Sequence, residues 1–311
     1  MTHTIRTRGL VKRYGGLTAV DGLDLEIRAG EVFGLLGPNG AGKSTTLNIL
    51  CGLLPADGGT VELFGEPLVF GDRSLRRRVG VCPQEIVIWT KLTCLEQLEF
   101  LGEMQGMTRA LARSRGRVLL EDLGLSEKRD KLGGTLSGGM QRRLNLALAL
   151  IHDPELVILD EPEAGLDPQS RVLVREYIRA LASSKTVLFT THNMDEADRV
   201  CDRLAIVDHG RLLCQDSPRG LKESQGGGRR LEITLSSASD PERALKRLRG
   251  EGLAISRMDR SLVVTGTDLA ARLPSLLAAL QQADCPYTGF HMRENTLEDV
   301  FIALTGRSLR Q

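Results

Sequence analysis

The octapeptide Gly37-Pro38-Asn39-Gly40-Ala41-Gly42-Lys43-Ser44 constrains this chain more than any other stretch. It fits G-x-x-x-x-G-K-[ST], follows the apolar run "EVFGLLG" (31–37) and opens a segment of helical patterning. Its glycines let backbone N–H groups turn inward and cradle phosphate oxygens. Lys43 is then placed to reach the β- and γ-phosphates of a nucleotide, and the Ser44 hydroxyl to ligate Mg²⁺. Thr45 follows in the same turn, and a helix from Ser44, bounded by Pro55, adds its positive dipole end. A chance Gly-rich turn is the competing reading, weakened by the strand before and the helix after. The loop says NTPase and does not say which kind.

The frame around the loop reads as α/β. "LVILD" (156–160) and "TVLFTTH" (186–192) are short, nearly continuous apolar runs, as in parallel strands buried on both faces. The segment "RVLVREYIRALA" (171–182) has the spacing of an amphipathic helix. Residues 92–150 look mostly helical, which makes them a helical insertion into the α/β core. The glycines of "SQGGGRR" (224–230) read as a linker. Beyond it, "RRLEITL" and "SLVVTG" read as strands, and "DPERALKRLRG" and "TDLAARLPSLLAALQQA" as helices with Asp240 and Thr267 as N-caps. With "NTLEDVFIALTG" as a last helix, this part has a βαβαβα-like pattern. The expected domains are 1–225, with a helical subdomain at about 85–152, and 226–311.

Composition narrows the partners. Lys plus Arg number 41 against 40 Asp plus Glu, so there is no basic excess of the kind nucleic acid selects. The six cysteines are scattered without a CxxC pair, which fits a reducing cytosol better than a disulfide framework or a zinc site. No apolar run reaches the roughly 18 residues of a membrane span, and the N-terminus has no signal-like apolar region. A soluble chain is therefore expected, one that needs a separate protein to carry it to a membrane.

A second phosphate motif sits far from the first. In "LGGTLSGGMQRRL" (132–144), Ser137, Gly138 and Gly139 stand directly before a helical run, and a helix start of that kind binds anions. Carboxylates and amides collect at strand ends as well. Asp160 ends "LVILD", where it can hold a Mg²⁺ shell, and Glu161 follows, where it can polarise water. Gln84 follows "VGVCP", His192 ends "TVLFTTH", and Asp167 sits in "AGLDP". Taken singly, Gln84 is an ordinary loop residue, His192 a strand-end cap and Asp167 a turn residue. Together they lie where open α/β sheets place ligands.

In this order the motifs resemble the ATP-binding-cassette (ABC) ATPases, the motor subunits of ABC transporters, over about Thr4 to Glu223. The motifs are Tyr14 in "VKRYGG", the phosphate loop, Gln84, "LSGGM", "ILDEP", "GLDP" and His192. The resemblance implies a P-loop cassette, with an α/β core, antiparallel β and helical subdomains, and a small α+β C-terminal domain. It also implies ATP and Mg²⁺ as cofactors. Two cassettes would dock head to tail, each ATP held between one subunit's phosphate loop and the other's Ser137-Gly138-Gly139. Tyr14 would stack on adenine, Asp160 would serve Mg²⁺, Gln84 would sense Mg²⁺ or the attacking water, Glu161 would be the base, His192 the γ-phosphate switch, and Asp167 would lie at the dimer interface.

Two residues depart from the common pattern. Met140 stands where many members have Gln, a variant familiar in the exporter branch. Glu163 stands where a hydroxyl residue is common. An added carboxylate either raises the pKa values of Asp160 and Glu161 by like-charge repulsion or faces solvent; the second is expected, so Glu163→Thr should alter turnover less than roughly tenfold. The segment "EIVIWTKLTCLEQLEF" (85–100) corresponds to the family's permease-contacting region. Its Ile86, Val87, Ile88 and Trp89 either dock a permease or pack beneath the helical subdomain. "HMRENTLEDVFIALTG" resembles the extension of ATPases serving ABC-2-type exporters of drugs, antibiotics, lipids or polysaccharides, with Thr296 capping an amphipathic helix through Phe301. The expected function is thus an exporter ATPase acting as a homodimer, with a separate polytopic permease, at the cytoplasmic face of the cell membrane. An importer ATPase and a soluble non-transport ABC ATPase are the alternatives.

Overall fold

The computed structural model describes residues 3–71, 75–224, 229–237, 239–248, 253–266 and 268–306. The chain forms two compact units, Met1–Gln215 and Asp216–Gln311.

The first unit begins with two twelve-residue strands, β1 (His3–Tyr14) and β2 (Leu17–Arg28), paired antiparallel with Tyr14 opposite Leu17 at the tip. β3 (Val32–Leu36) leads into the phosphate loop and α1 (Lys43–Leu50). β4 (Gly58–Leu63), β5 (Glu66–Pro67) and β6 (Val79–Cys82) come next. Three helices follow, α2 (Cys94–Met104), α3 (Arg109–Asp122) and α4 (Gly138–Leu150). The unit closes with β7 (Leu156–Asp160), α5 (Pro168–Leu181), β8 (Thr186–Thr191), α6 (Met194–Val200), β9 (Arg203–Asp208) and β10 (Arg211–Asp216). The strands make a four-stranded sheet, β2-β1-β4-β5, and a six-stranded sheet, β10-β9-β3-β8-β7-β6.

The apolar runs explain the second sheet. β3 and β8 are buried at every position, and β7 at all but its last, because β3, β7 and β8 lie inside the sheet in parallel pairs with both faces covered. Ile5, Leu25 and Ile27 of the first sheet share one core with Phe33, Leu35, Leu47, Ile158 and Leu188. The parallel strands all end on one edge, which collects Gly37, Gln84, Asp160 and His192. Helices α2 to α4 form the expected insertion. α2 is fixed by a capping box, the Thr93 hydroxyl accepting from Glu96 N–H while the Glu96 carboxylate accepts from Thr93 N–H. Two helix starts differ from expectation. α1 begins at Lys43 rather than Ser44, since the left-handed Gly42 (φ 97°) is already its cap. α4 begins at Gly138 rather than near Met140, because the Ser137 hydroxyl caps it by accepting from Met140 N–H at 3.4 Å.

The second unit holds α7 (Pro218–Ser224), β11 (Arg229–Leu235), α8 (Pro241–Leu248), β12 (Ala254–Met258), β13 (Ser261–Thr265), α9 (Leu269–Gln282), β14 (Tyr287–Glu294) and α10 (Leu297–Thr305). Its sheet runs β12-β13-β11-β14, antiparallel throughout. The βαβαβα-like expectation therefore lacked β12 and β14. Both are edge strands, and β14 has no fully buried position to give it an apolar run. Leu231, Ile233, Leu262 and Val264 of the sheet meet Leu245, Leu248, Leu276 and Leu280 of α8 and α9. Asp240 caps α8, accepting from Glu242 N–H at 3.0 Å, while Thr267 lies outside the described residues. α10 starts with a capping box between Thr296 and Asp299, as its pattern suggested. The expected linker residues 225–228 also lie outside the described residues. The units divide ten residues ahead of the expected boundary, since α7 packs on α10 and Lys222 O accepts from Asn295 Nδ2 at 3.4 Å.

Candidate functional site

A cleft of about 330 Å³ opens beside the phosphate loop. Tyr14, Asn39, Gly40, Gly42, Lys43, Ser44, Thr45, Gln84 and Glu161 line it, so the first phosphate motif, the aromatic and two strand-end residues meet in one place. Two glycines are there for space. A Cβ on Gly42 would lie 2.2 Å from Ala19 O, and one on Gly37 2.3 Å from Val207 O. Gly40 has open space but φ +81°, which L side chains avoid. Pro38 fixes the turn entry, and its carbonyl accepts from Ala41 N–H at 3.2 Å. Lys43 is 6 % exposed and donates to Gly37 O (2.7 Å) and Pro38 O (3.0 Å). Burial lowers its ammonium pKa, opposed by the charges of Glu161 and Asp160. Tyr14 is half-exposed at the hairpin tip, with Lys12 Nζ 5.7 Å from its ring centre.

Glu161 occupies a left-handed backbone position (φ 48°) directly after β7. Its N–H donates to Thr190 O (3.2 Å) and Thr190 Oγ1 (3.1 Å), which over-determines a conformation costly for a non-glycine residue. The carboxylate is bracketed, with His192 Nδ1 2.8 Å from Oε1 and Gln84 Nε2 donating to Oε2 at 3.3 Å. A carboxylate held at the mouth of a phosphate cleft can accept a proton from water. Asp160 accepts from Thr190 Oγ1, which orients it one residue before Glu161. Among the described residues no group of three or more His, Cys, Asp and Glu could hold a metal. Mg²⁺ does not require such a cluster, since it takes one or two carboxylates beside water and phosphate oxygens. Ser44, Gln84 and Asp160 fit that need.

The second motif is elsewhere. Ser137 and Gly138 are exposed, a Cβ on Gly138 would meet nothing within 4 Å, and none of Ser137, Gly138 and Gly139 lines the cleft. Asp167 caps α5, accepting from Gln169 N–H (3.1 Å) and Ser170 N–H (3.0 Å), and Ser170 keeps its carboxyl below the usual range. It is neighbour to Gly139, whose Cβ would lie 3.5 Å from Asp167 Oδ2. One chain thus presents a cleft and, apart from it, an exposed helix start beside a carboxylate.

Glu163 corrects an expectation. It does not face solvent. It is 5 % exposed and takes Arg175 of α5 in a two-point contact, accepting from Nε at 3.2 Å and Nη2 at 2.8 Å. Three further residues escaped the sequence reading. Arg142 of α4, 3 % exposed, donates to the carbonyls of Pro83, Gln84, Asp160, Glu161 and Pro162. It ties the Ser137 helix to the ends of β6 and β7. Its signal was hidden in the "RR" pair of α4, which reads as a solvated face. Thr190 holds Asp160 and Glu161 through one hydroxyl, and His209 lines the cleft from the turn after β9. Nothing in their spacing marks them.

A sequence profile described as "ABC transporter" matches residues 20–164. The daunorubicin/doxorubicin resistance ATP-binding protein DrrA of Streptomyces peucetius is 42 % identical over 308 residues, covering 98 % of this chain and 93 % of that one. The chain belongs to the ABC transporter ATP-binding proteins. Relatives of the exporter type recur. The Nod factor export ATP-binding protein I of Burkholderia lata is 42 % identical, with 97 % of each chain covered. The linearmycin resistance ATP-binding protein LnrL of Bacillus subtilis is 36 % identical, covering 98 % of this chain and 99 % of its own. Solved cassettes align with part of the chain. CbiO1 from Clostridium perfringens, part of the transporter complex CbiONQ, gives a TM-score of 0.66 at 26 % identity, covering 71 % of this chain and 91 % of that one. A dimeric post-hydrolysis cassette bound to ADP and Pi gives 0.63 at 25 %, covering 68 % and 98 %. This ABC subunit binds and hydrolyses ATP and is of the exporter type.

Proposed function

We propose that this ABC ATPase works as a head-to-tail homodimer that binds two ATP and drives a separate ABC-2-type permease, exporting a drug, antibiotic, lipid or polysaccharide. What supports the sandwich is the separation within one chain. None of Ser137, Gly138 and Gly139 lines the cleft that holds Tyr14, the phosphate loop and Glu161, and Ser137 with Gly138 forms an exposed helix start of the kind that binds anions. Each is half of a site. Tyr14 stacks on adenine, a contact worth about 1–3 kcal/mol. The N–H groups of the phosphate loop and Lys43 bind the phosphates, and Ser137 with Gly138 and Gly139 of the partner subunit closes over the γ-phosphate. Ser44, Gln84 and Asp160 would hold Mg²⁺, which when bound neutralises charge on the transferred phosphoryl group. Glu161 orients water and takes its proton, His192 holds Glu161 and the γ-phosphate in register, and Asp167 lies at the interface between cassettes.

Exposed apolar side chains mark the proposed footing of the permease on this chain. Trp89 N–H donates to the buried Gln97 side chain at 2.9 Å, which pins the loop backbone, yet the side chains of Ile86, Val87 and Trp89 stay 40–59 % exposed. Trp89 stacks edge-on against the exposed Phe100 at 5.3 Å. That apolar surface is the proposed permease contact, and it supports a peripheral position of the subunit at the cytoplasmic face of the membrane. Among the described residues no helix is long and apolar enough to cross a membrane. The second unit is assigned to dimerisation or regulation.

The testing experiment is Glu161→Gln with saturating Mg-ATP, read by size-exclusion chromatography and by turnover. Retained ATP binding, lost turnover and elution as a dimer are the expected result. Monomer elution counts heavily against the sandwich.

A further inference from the structure

Glu163 does not line the cleft, yet it is buried where the loop after β7, α5 and α6 meet. It sits between Glu161 and Asp167 on the loop that leaves β7. That loop is tied within itself by Ala164 N–H to Glu161 O (3.1 Å) and Leu166 N–H to Glu163 O (3.2 Å), while Arg142 and Arg171 hold its carbonyls at Pro162 and Leu166. The Arg175 guanidinium grips the Glu163 carboxylate at two points and fastens the loop to α5. A second carboxylate reaches the same spot from the other side. Glu196 of α6 is 5 % exposed, lies beside Glu163, and accepts from Thr191 Oγ1. Its other oxygen, Oε1, is buried and, with the carboxylate unprotonated, has no hydrogen-bond partner among the described residues, and the Glu163 side chain is within hydrogen-bond reach of Glu196. Thr191 in turn accepts from Asn193 N–H at 2.9 Å, so its hydroxyl holds the turn that carries His192.

We propose that Glu163 is a positioning residue that, with Arg175 and Glu196, locks the Glu161–Asp167 loop to the His192 turn, so that base, histidine and interface aspartate move as one body. The inference rests on the roles assigned above to Glu161 and His192. Two carboxyl groups and one guanidinium in a water-poor site balance only when one carboxyl is an acid and the other a carboxylate. Burial and the neighbouring Glu163 push the Glu196 carboxyl up to about 8. Glu196 is therefore the acid, and its proton can fill the gap toward Glu163. The charged or titratable groups facing Glu196 are Glu163 from the loop, Arg175 from α5 and Cys201 from the end of α6. When Glu196 ionises, the two carboxylates repel and the lock opens.

The test is steady-state ATPase of the purified full chain against pH, with ATP affinity and thermal midpoint measured for each variant. Glu163→Thr is expected to lower kcat tenfold or more with KM little changed. Glu163→Gln, nearly isosteric and safe for folding, is expected to lower kcat at least threefold. The double variant Glu163→Thr/Arg175→Met should be no slower than the worse single one, because both remove the same lock. Wild-type kcat is expected to fall above about pH 8 as Glu196 ionises, and Glu196→Gln should remove that fall, an effect that simple loss of packing does not produce. Folded Glu163 variants with kcat within threefold of the wild type, or an unmoved alkaline limb in Glu196→Gln, overturn the proposal. Glu161→Gln assayed alongside separates the two claims. Retained turnover there sinks the role of Glu161 itself, whereas active Glu163 variants beside a dead Glu161→Gln sink only the positioning role.

Discussion

Replacing Arg142 should damage catalysis and stability together, and the size of the effect can be worked from its contacts. The guanidinium is 3 % exposed and meets five backbone carbonyls, with Pro162 O at 3.3 Å, Pro83 O at 3.1 Å and Asp160 O at 2.8 Å, and Gln84 O and Glu161 O in shorter contacts. Arg142→Met keeps much of the stem and removes every donor. A buried acceptor left alone costs about 1–3 kcal/mol, but carbonyls retain other partners and water enters, so the sum does not scale with five. Several acceptors lose a charged donor at once, each contact worth about 1.5–3 kcal/mol, so with that partial compensation a total loss of about 3–5 kcal/mol is expected. A domain typically has about 5–15 kcal/mol in hand, so the variant should fold. Arg142→Lys retains three donors in place of the planar fork and should lose about 1–3 kcal/mol. The same carbonyls belong to Gln84 and Glu161, so a shift of about 1 Å there is expected to reduce kcat on the order of 100-fold. Urea denaturation and single-turnover hydrolysis measure the two losses. An Arg142→Met protein within 1 kcal/mol of wild type, hydrolysing ATP at the normal rate, would refute the reasoning.

Three further outcomes are expected. Gly42→Ala should abolish binding of a fluorescent ATP analogue while the chain stays folded, since the new Cβ meets Ala19 O at 2.2 Å and the position needs φ +97°; normal affinity would show that the loop relaxes freely. Trp89→Ala should leave ATPase activity within about twofold and weaken co-purification of the permease from membranes, whereas unfolding would place Trp89 in the core instead. In the second unit, burial raises the Asp299 carboxyl but Arg293 and Thr296 more than offset it, bringing it down to about 2 from 3.8. A lowered pKa stabilises above the unfolded value, so this contribution is present above about pH 4 and is lost as pH falls toward 2. Acid labelling of the buried Cys285 thiol with a pyridyl disulfide should therefore rise over that window in the wild type, and already be elevated at pH 5 in Asp299→Asn.

The parts legible in sequence share a physical cause. Gly37 to Thr45 is a local backbone device, and β3, β7 and β8 announce themselves because burial on both faces demands unbroken apolar runs. Local capping was legible for the same reason at Asp240 and Thr296. What stayed hidden depends on partners distant in sequence. Glu163 looked like a surface carboxylate until Arg175 and Glu196 came to it from two other helices. Arg142 looked solvated until the ends of β6 and β7 supplied its acceptors. β12 and β14 were missed because an edge strand needs no apolar run. The strained backbone of Glu161 has no sequence signature at all, being imposed by Thr190 on the next strand.

The composite site made from two copies is the central claim, and complementation between two inactive variants tests it most directly. Lys43→Ala destroys the phosphate loop and Ser137→Arg blocks the exposed helix start. Each variant alone is expected to be inactive. In a head-to-tail dimer of one of each, both defects fall in the same site and the other site is intact. Mixing the two purified variants should therefore restore ATP hydrolysis that neither shows alone, with an optimum near equal amounts. No recovery at any ratio, with both variants folded and mixed dimers demonstrated, contradicts the account.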